Sequence, residues 1–332
     1  MRLSYAQNLE DYHLDLAFQG QTTGTYVDVG GGHPVADNVS FWFYLKGWRG
    51  LIVEPQAALA TAYRHVRPRD VVYEGLAGAT DGAAEFHVVD KLHGLSSMLT
   101  PGVGSDGAAP VTYRTKRLPV RRLDRLITEA GFTRVDFLKI DVEGAEPQVL
   151  AGIDLTKLRP RVLVIEAVNP GNLAGDAAAF EPQVLAAGYD LALNDRLNRF
   201  YVAREAADIR ARLPETPAPW DGVAHLWDEG RAPHSPGHID HALARTLEHG
   251  LMALLPSLAP ELLEQALRLG LKLEAGAAPS TTQIEAVLGN AEFPRTEGLP
   301  DTFAQLLGSD RFRAALGRIA CMYDGGHIVD ET

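Results

Sequence analysis

Acidic side chains stand at the ends of five short apolar runs, where they could bind a cation or handle a proton. They are Asp28 in Tyr26-Val27-Asp28-Val29, Glu54 after Leu51-Ile52-Val53 and Glu74 after Val71-Val72-Tyr73. Asp141 with Glu143 follows Phe137-Leu138-Lys139-Ile140, and Glu166 follows Val162-Leu163-Val164-Ile165. In an open parallel sheet such ends share one edge, and ligands sit just beyond it. Carboxylates gathered there repel one another unless a cation or hydrogen-bond donors intervene. A positively charged ligand, or a divalent metal with its preference for oxygen, would supply that charge. Lys139 alternates onto the same strand face as Asp141. An ammonium inside a strand is costly unless paired, so Lys139 is expected to partner a nearby carboxylate, structurally or to orient a site.

The first run leads into Gly30-Gly31-Gly32-His33-Pro34. Glycines there let a bound cofactor approach the backbone closely. The dinucleotide fingerprint would need a glycine where Val35 stands, and no Gly-Lys-Ser/Thr follows to make a phosphate loop. What fits is the D-x-G-x-G turn of S-adenosylmethionine-dependent methyltransferases. Glu54, followed by Pro55, is placed to accept hydrogen bonds from both ribose hydroxyls. His33 has the ordinary pKa of a base near neutrality; a surface histidine packed on Pro34 is the alternative.

These residues need a sheet to position them. The apolar runs are continuous rather than alternating, as in strands covered on both faces. Segments of helical spacing, Ala57 to His65 and Leu123 to Ala130, lie between them. The alternation predicts an α/β fold with a parallel sheet. Tyr189 to Leu193 and Arg199 to Ala203 read as a hairpin closing that sheet with an antiparallel edge. From about residue 213 to 239 the prolines crowd, which is linker composition. Beyond it Leu243, Leu247, Leu251 and Leu254 share one helical face, and Phe312, Leu316 and Ile319 another, so residues 240–332 are expected to be all-helical.

The chain has 332 residues, 46% hydrophobic, with 31 basic against 43 acidic side chains and a formal net charge of -12. That balance argues against a nucleic-acid binder. The local basic set Arg114, Lys116, Arg117, Arg121 and Arg122 could meet an anionic acceptor or be a solvated face. A single Cys321 excludes an internal disulfide, no run approaches a membrane span, and the first residues lack a signal peptide's pattern. A soluble cytoplasmic protein is expected. His234, His238 and His241 have spacing that could hold a metal, but they lie in the proline-rich stretch without supporting ligands.

Residues 137–146, Phe-Leu-Lys-Ile-Asp-Val-Glu-Gly-Ala-Glu, followed by Val149-Leu150-Ala151-Gly152, resemble the signature of the FkbM family of S-adenosylmethionine-dependent methyltransferases. Ser4-Tyr5-Ala6-Gln7-Asn8-Leu9-Glu10-Asp11, Gly47-Trp48-Arg49-Gly50 leading to Glu54-Pro55, Leu95-Ser96-Ser97-Met98 and Leu197-Asn198-Arg199-Phe200-Tyr201-Val202 resemble further family motifs in the right order. The resemblance spans about residues 1–204. One departure is the first turn, where the family's G-A-N is Gly30-Gly31-Gly32. The resemblance implies a seven-stranded Rossmann-like sheet over residues 1–212; it does not reach the helical remainder, which is expected to be an accessory domain for oligomerisation or acceptor selection. It implies S-adenosylmethionine as cofactor, held by Asp28, Gly30, Gly31, Gly32, Glu54, Pro55, Leu76 and Ala77.

The reaction expected is O-methylation of a hydroxyl on a sugar, polysaccharide precursor or related natural product. N- or carboxyl-methylation of a small molecule, or a cofactor-binding scaffold without turnover, are the alternatives. Losing the hydroxyl proton calls for a base or a metal. Asp141, Glu143 and His33 are the catalytic candidates, and Asp141 with Glu166 or Glu143 the candidates for a divalent cation such as Mg. Gln7, Asn8, Glu10, Ser96, Ser97 and Glu166 are expected to meet the acceptor, with residues 1–20 folding over the site as a lid.

Overall fold

In the computed structural model, residues 3–89, 113–167, 177–274, 276–288, 302–320 and 323 are described. The chain divides into two compact units, Met1–Asp228 and Glu229–Thr332. The strands of the first are β1 (Leu3–Ser4), β2 (Thr25–Val29), β3 (Arg49–Glu54), β4 (Val71–Glu74), β5 (Leu76–Ala77), β6 (Gly82–Val89) and β7 (Tyr113–Arg121). They continue as β8 (Phe137–Ile140), β9 (Val162–Glu166), β10 (Tyr189–Asn194), β11 (Asn198–Ala203) and β12 (Ala224–His225). Seven of them make one sheet in the order β10-β11-β9-β8-β2-β3-β4. β9, β8, β2, β3 and β4 run parallel, and the β10–β11 hairpin closes the edge antiparallel.

The continuous apolar runs do bury both faces. Val27, Leu51, Ile52, Phe137, Leu138, Ile140 and Val162 to Ile165 are all at most 1% exposed. Helices α1 (Glu10–Ala17), α2 (Phe41–Leu45), α3 (Ala57–Val66), α4 (Leu123–Glu129), α5 (Glu146–Leu150), α6 (Glu181–Ala186) and α7 (Ala207–Arg210) belong to this unit. The chain adds β3 and β4 on one side of β2 and β8 and β9 on the other. The order therefore reverses between β2 and β8, and crevices open at such switch points beyond the strands' carboxyl ends. The glycine turn follows β2 and the Asp141 loop follows β8. Both chemistry-bearing segments meet at the switch.

Three expectations change here. Residues 1–20 are not a detachable lid: Leu14, Ala17 and Phe18 are buried in the main core, and Phe18 packs edge-on against Phe43 and Trp48. Trp48, fully buried, belongs to that same aromatic cluster with Phe137. The proline-rich stretch is not a free linker up to residue 239. Its first part, residues 213–228, is a strap on the first unit: β12 pairs in parallel with β1, Ala218 N–H donates to His13 Nε2, and Leu213 and Val223 are buried. Prolines suit such a segment, because a strap laid on a surface needs few of its own backbone donors. The basic set is in part a strand, since β7 pairs along its whole length with β6 and at its end with β5 in a small second sheet. Arg121 and Arg122 are ion-paired with Glu129 and Asp124.

The second unit is helical, as expected: α8 (His241–Ala253), α9 (Pro260–Gly270), α10 (Thr281–Leu288), α11 (Phe303–Gly308) and α12 (Asp310–Ala320). Its own core gathers Leu263, Ile284, Phe303, Leu306, Phe312 and Leu316. Leu243, Leu247, Leu251 and Leu254 stay at least half exposed. Among the described residues, no helix is long and apolar enough to cross a membrane.

Candidate active site

Each glycine of the turn is held by hydrogen bonds. Gly30 N–H continues the sheet by donating to Val53 O, and Lys139 Nζ donates to Gly30 O at 3.1 Å. Gly31 O accepts from Asn38 Nδ2 at 2.9 Å and from Tyr63 OH at 2.7 Å. Gly32 N–H donates to Glu54 Oε2 at 2.9 Å. Gly30 and Gly32 serve different ends. A Cβ on Gly30 would lie 1.7 Å from Asp141 O, and Gly30 has φ 78°. A Cβ on Gly32, φ 60°, would meet nothing within 4 Å. That bare side of the turn is where a ligand can reach backbone.

Glu54 sits beneath it, 2% exposed, its second oxygen accepting from Gln56 N–H just beyond Pro55. Burial pushes its pKa up to about 7 against the pull of those two N–H donors and of Lys139. Asp28 lies deeper, fully buried, accepting a 2.6 Å hydrogen bond from Ser40 Oγ and standing 3.7 Å from Lys139 Nζ. It reaches the site through its neighbours. Leu76 and Ala77 are buried in β5, directly behind the end of β4. Glu74 turns away to the surface, where it pairs with Arg64.

Across the switch point, Lys139 Nζ is 3.0 Å from Asp141 Oδ2. Burial alone would favour a neutral lysine, but the charges of Asp141 and Asp28 outweigh it and hold its pKa above the usual value. Strand alternation thus does put Lys139 and Asp141 together, and the ammonium also braces the glycine turn. Asp141, Glu143 and Glu166 each offer an oxygen within 4.8 Å of the others. It is the one group with metal-ligand spacing among the described residues, so His234, His238 and His241 form no such cluster. Burial, then Asp141 and Glu146, raises Glu143 to about 8. Burial and the charges of Asp141 and Glu143 raise Glu166 well above the carboxylate range. Glu166 Oε2 is buried without a hydrogen-bond partner. Glu143 holds the left-handed backbone, φ 56°, while Glu146 accepts from Val142 and Gly144 N–H and so fixes the loop that carries Asp141 and Glu143.

The amino-terminal residues divide. Glu10 is buried and accepts from Asn198 Nδ2 and from Asn8 N–H. Asn198 is the register partner of Glu166 across β11 and β9, which sets Glu10 beside the carboxyl cluster's strand. Burial and the neighbouring Asp195 raise Glu10 to about 8. Asn8 Nδ2 donates to Asp195 O, while Gln7 is exposed. Ser96 and Ser97 fall outside the described residues. His33 Nδ1 accepts from the N–H groups of Val35 and Ala36, so its free Nε2 carries the hydrogen. Burial lowers its pKa.

Behind the turn stands a buried arginine that no pattern in the sequence marks. Arg67, fully buried, donates to Asp70, Pro34 O, Asn38 Oδ1, Tyr26 OH and Ser40 Oγ. Through Asn38 and Ser40 it holds Gly31 and Asp28. An arginine at a helix end reads as a surface cation, and nothing in its spacing marks it otherwise.

A family model described as a methyltransferase FkbM domain matches residues 28–191. The AMB antimetabolite synthetase AmbE of Pseudomonas aeruginosa is 29% identical over 174 residues, which are 45% of this chain and 8% of that protein. The chain thus spans under a tenth of that relative's length. A TehB-like SAM-dependent methyltransferase from Corynebacterium glutamicum is 10% identical, with a TM-score of 0.32 covering 60% of this chain and 89% of that one. A SAM-dependent methyltransferase from Geobacter sulfurreducens in complex with S-adenosylhomocysteine is 14% identical, with a TM-score of 0.28 covering 57% and 66%. CalO1, a methyltransferase of calicheamicin biosynthesis in its SAH-bound form, is 19% identical, with a TM-score of 0.27 covering 58% and 54%. With the sequence signature and the family match on the same strands and loops, residues 28–191 carry an FkbM methyltransferase domain.

Proposed function

We propose that the chain transfers the methyl group of S-adenosylmethionine to a hydroxyl of a sugar, a polysaccharide precursor or a related natural product. The observation that carries this reading is the single lysine linking two halves of the site. Lys139 touches Gly30 O on the donor turn and Asp141 in the proton-handling cluster. The cofactor, when bound, supplies an electrophilic methyl. The bare side of Gly32 admits it, and Glu54 keeps acceptor lone pairs for a ribose diol beyond the two N–H bonds it already takes. A crowd of carboxyls suits a sulfonium. Holding acceptor and methyl at near-attack distance supplies several kcal/mol.

The hydroxyl proton has a destination. Glu143, with a pKa of about 8, is matched to accept a proton near neutrality, and Asp141 lies beside it. The same oxygens suit a hard cation. Asp141 and Glu166, with Glu143, would hold a divalent ion such as Mg, which would make the hydroxyl more acidic. Loss of turnover in excess EDTA with recovery on adding Mg supports the ion; full turnover in EDTA leaves the carboxyls as the base.

The test of the whole reading pairs calorimetry with S-adenosylhomocysteine and mass spectrometry of extracts incubated with S-adenosylmethionine. Saturable binding and products heavier by one methylene are expected. Binding without product would favour a scaffold, product only on amines or carboxyls would favour the alternative acceptors, and no binding would end the proposal.

Tyr63 gives a finer check on the turn. Its hydroxyl donates to Gly31 O and accepts from Asn38 Nδ2 at 2.7 Å each. Tyr63→Phe removes two bonds yet leaves Asn38 on Gly31 O. S-adenosylhomocysteine affinity should fall about 3- to 10-fold, the equivalent of about one hydrogen bond. Unchanged affinity would show that the turn does not depend on this brace.

A further inference from the structure

The strap carries two tryptophans, and one of them is bonded to the segment that follows the glycine turn. Trp227 is 62% exposed, yet its indole N–H is pinned to Asp37 Oδ1 at 3.1 Å. His225 Nε2 stands 3.7 Å from the same oxygen and 3.1 Å from Ala6 O. Trp220, 39% exposed, packs edge-on against the His225 ring with centroids 5.3 Å apart. Asp37 itself is held in the left-handed region, φ 51°, and Asn38 beside it is tied to Gly31 O and to Tyr5 O. One residue therefore separates this aromatic group from the glycine turn.

Fixing an indole by its N–H while leaving the ring in water forgoes both its rotamer freedom and its burial. Such a ring is built for a partner. Asp37 Oδ2 accepts no hydrogen bond among the described residues, and the side chain is 48% exposed. An aromatic face next to an open carboxylate matches a ring that shows C–H on one side and hydroxyl donors at its rim. A saccharide carries several such donors around one ring, whereas a phenol offers one.

We propose that Trp227, Asp37 and Trp220 form the subsite for the methyl acceptor and that its ligand there is a saccharide ring. This deepens the reading above and rests on it. His225 is the positioning residue, bridging β12 to the amino-terminal segment and steadying both Asp37 and Trp220.

Saturation-transfer NMR on the full chain with S-adenosylhomocysteine tests it. The probes are methyl α-D-glucopyranoside, methyl α-D-mannopyranoside and methyl α-L-rhamnopyranoside, with phenol as the aromatic comparator. Saturation of the ring C–H protons of at least one glycoside is expected, reduced about fivefold or more in Trp227→Ala and in Asp37→Asn. Trp227→Phe should keep part of the signal, and S-adenosylhomocysteine affinity, measured by calorimetry, should not change in any variant. No glycoside signal in the wild type, a signal unaltered by Trp227→Ala, or transfer to phenol alone overturns the subsite. Absent S-adenosylhomocysteine binding in the wild type counts against the methyltransferase reading instead, so the two failures are distinguishable.

Discussion

Asp141→Asn is expected to lower kcat by about 10²- to 10⁴-fold, the range seen when a positioned acid or base is removed. S-adenosylhomocysteine affinity should change little, because the turn keeps its bonds to Val53 O, Asn38, Tyr63 and Glu54. The large effect has two sources. Lys139 loses its nearest carboxylate, at 3.0 Å, and is left with Asp28 at 3.7 Å. The trio also loses one of its three carboxyl oxygen donors, whether it serves a proton or a cation. Steady-state kinetics beside binding calorimetry separates the outcomes. A variant with near-normal kcat would remove Asp141 from the chemistry, and one that no longer binds S-adenosylhomocysteine would make it a scaffold residue.

Gly30→Ala should be more damaging to structure than any other single change at the turn. Its methyl would be placed 1.7 Å from Asp141 O, a backbone atom that cannot step aside, at a φ of 78° that alanine resists. Strain and overlap together are expected to cost at least about 3 kcal/mol and to leave no measurable S-adenosylhomocysteine binding. Gly32→Ala is the informative contrast. With nothing within 4 Å, it meets only the backbone penalty of φ 60°, about 1–2 kcal/mol. It should nevertheless weaken the cofactor's approach, because the methyl occupies the one open side. Thermal melts and calorimetry on the pair read the two effects; equal binding by Gly30→Ala and the wild type would show that this turn does not carry the donor.

The parts of this architecture legible in the sequence are those where one physical signal dominates. Runs such as Val162-Leu163-Val164-Ile165, short and rich in β-branched residues, mark strands buried on both faces, and the runs Tyr189 to Leu193 and Arg199 to Ala203 mark a hairpin. The acids at strand ends marked the edge correctly for Glu54, Asp141, Glu143 and Glu166. Glu74 misled because β4 is the sheet's outer strand, where an end residue can turn to solvent. The second sheet was hidden because β7 is mostly exposed and charged, so its pairing with β6 leaves little apolar trace. The core role of residues 10–18, within the segment expected to be a lid, is hidden because Glu10, Asp11 and His13 are buried with hydrogen-bonding partners, which composition cannot reveal. The Arg67 network and the strap depend on partners distant in the chain, and no local pattern announces either.

The brace under Gly32 has a consequence for acidity. One carboxyl, Glu54, both fastens the loop through Gly32 N–H and offers itself to the ribose, and it titrates at about 7. Protonation would blunt both duties at once. Cofactor retention should therefore weaken in acid, by about tenfold on going from pH 8 to pH 6, with proton release on binding seen as a buffer-dependent heat near pH 7. Mild acidification would thus act as a release catch for the spent cofactor.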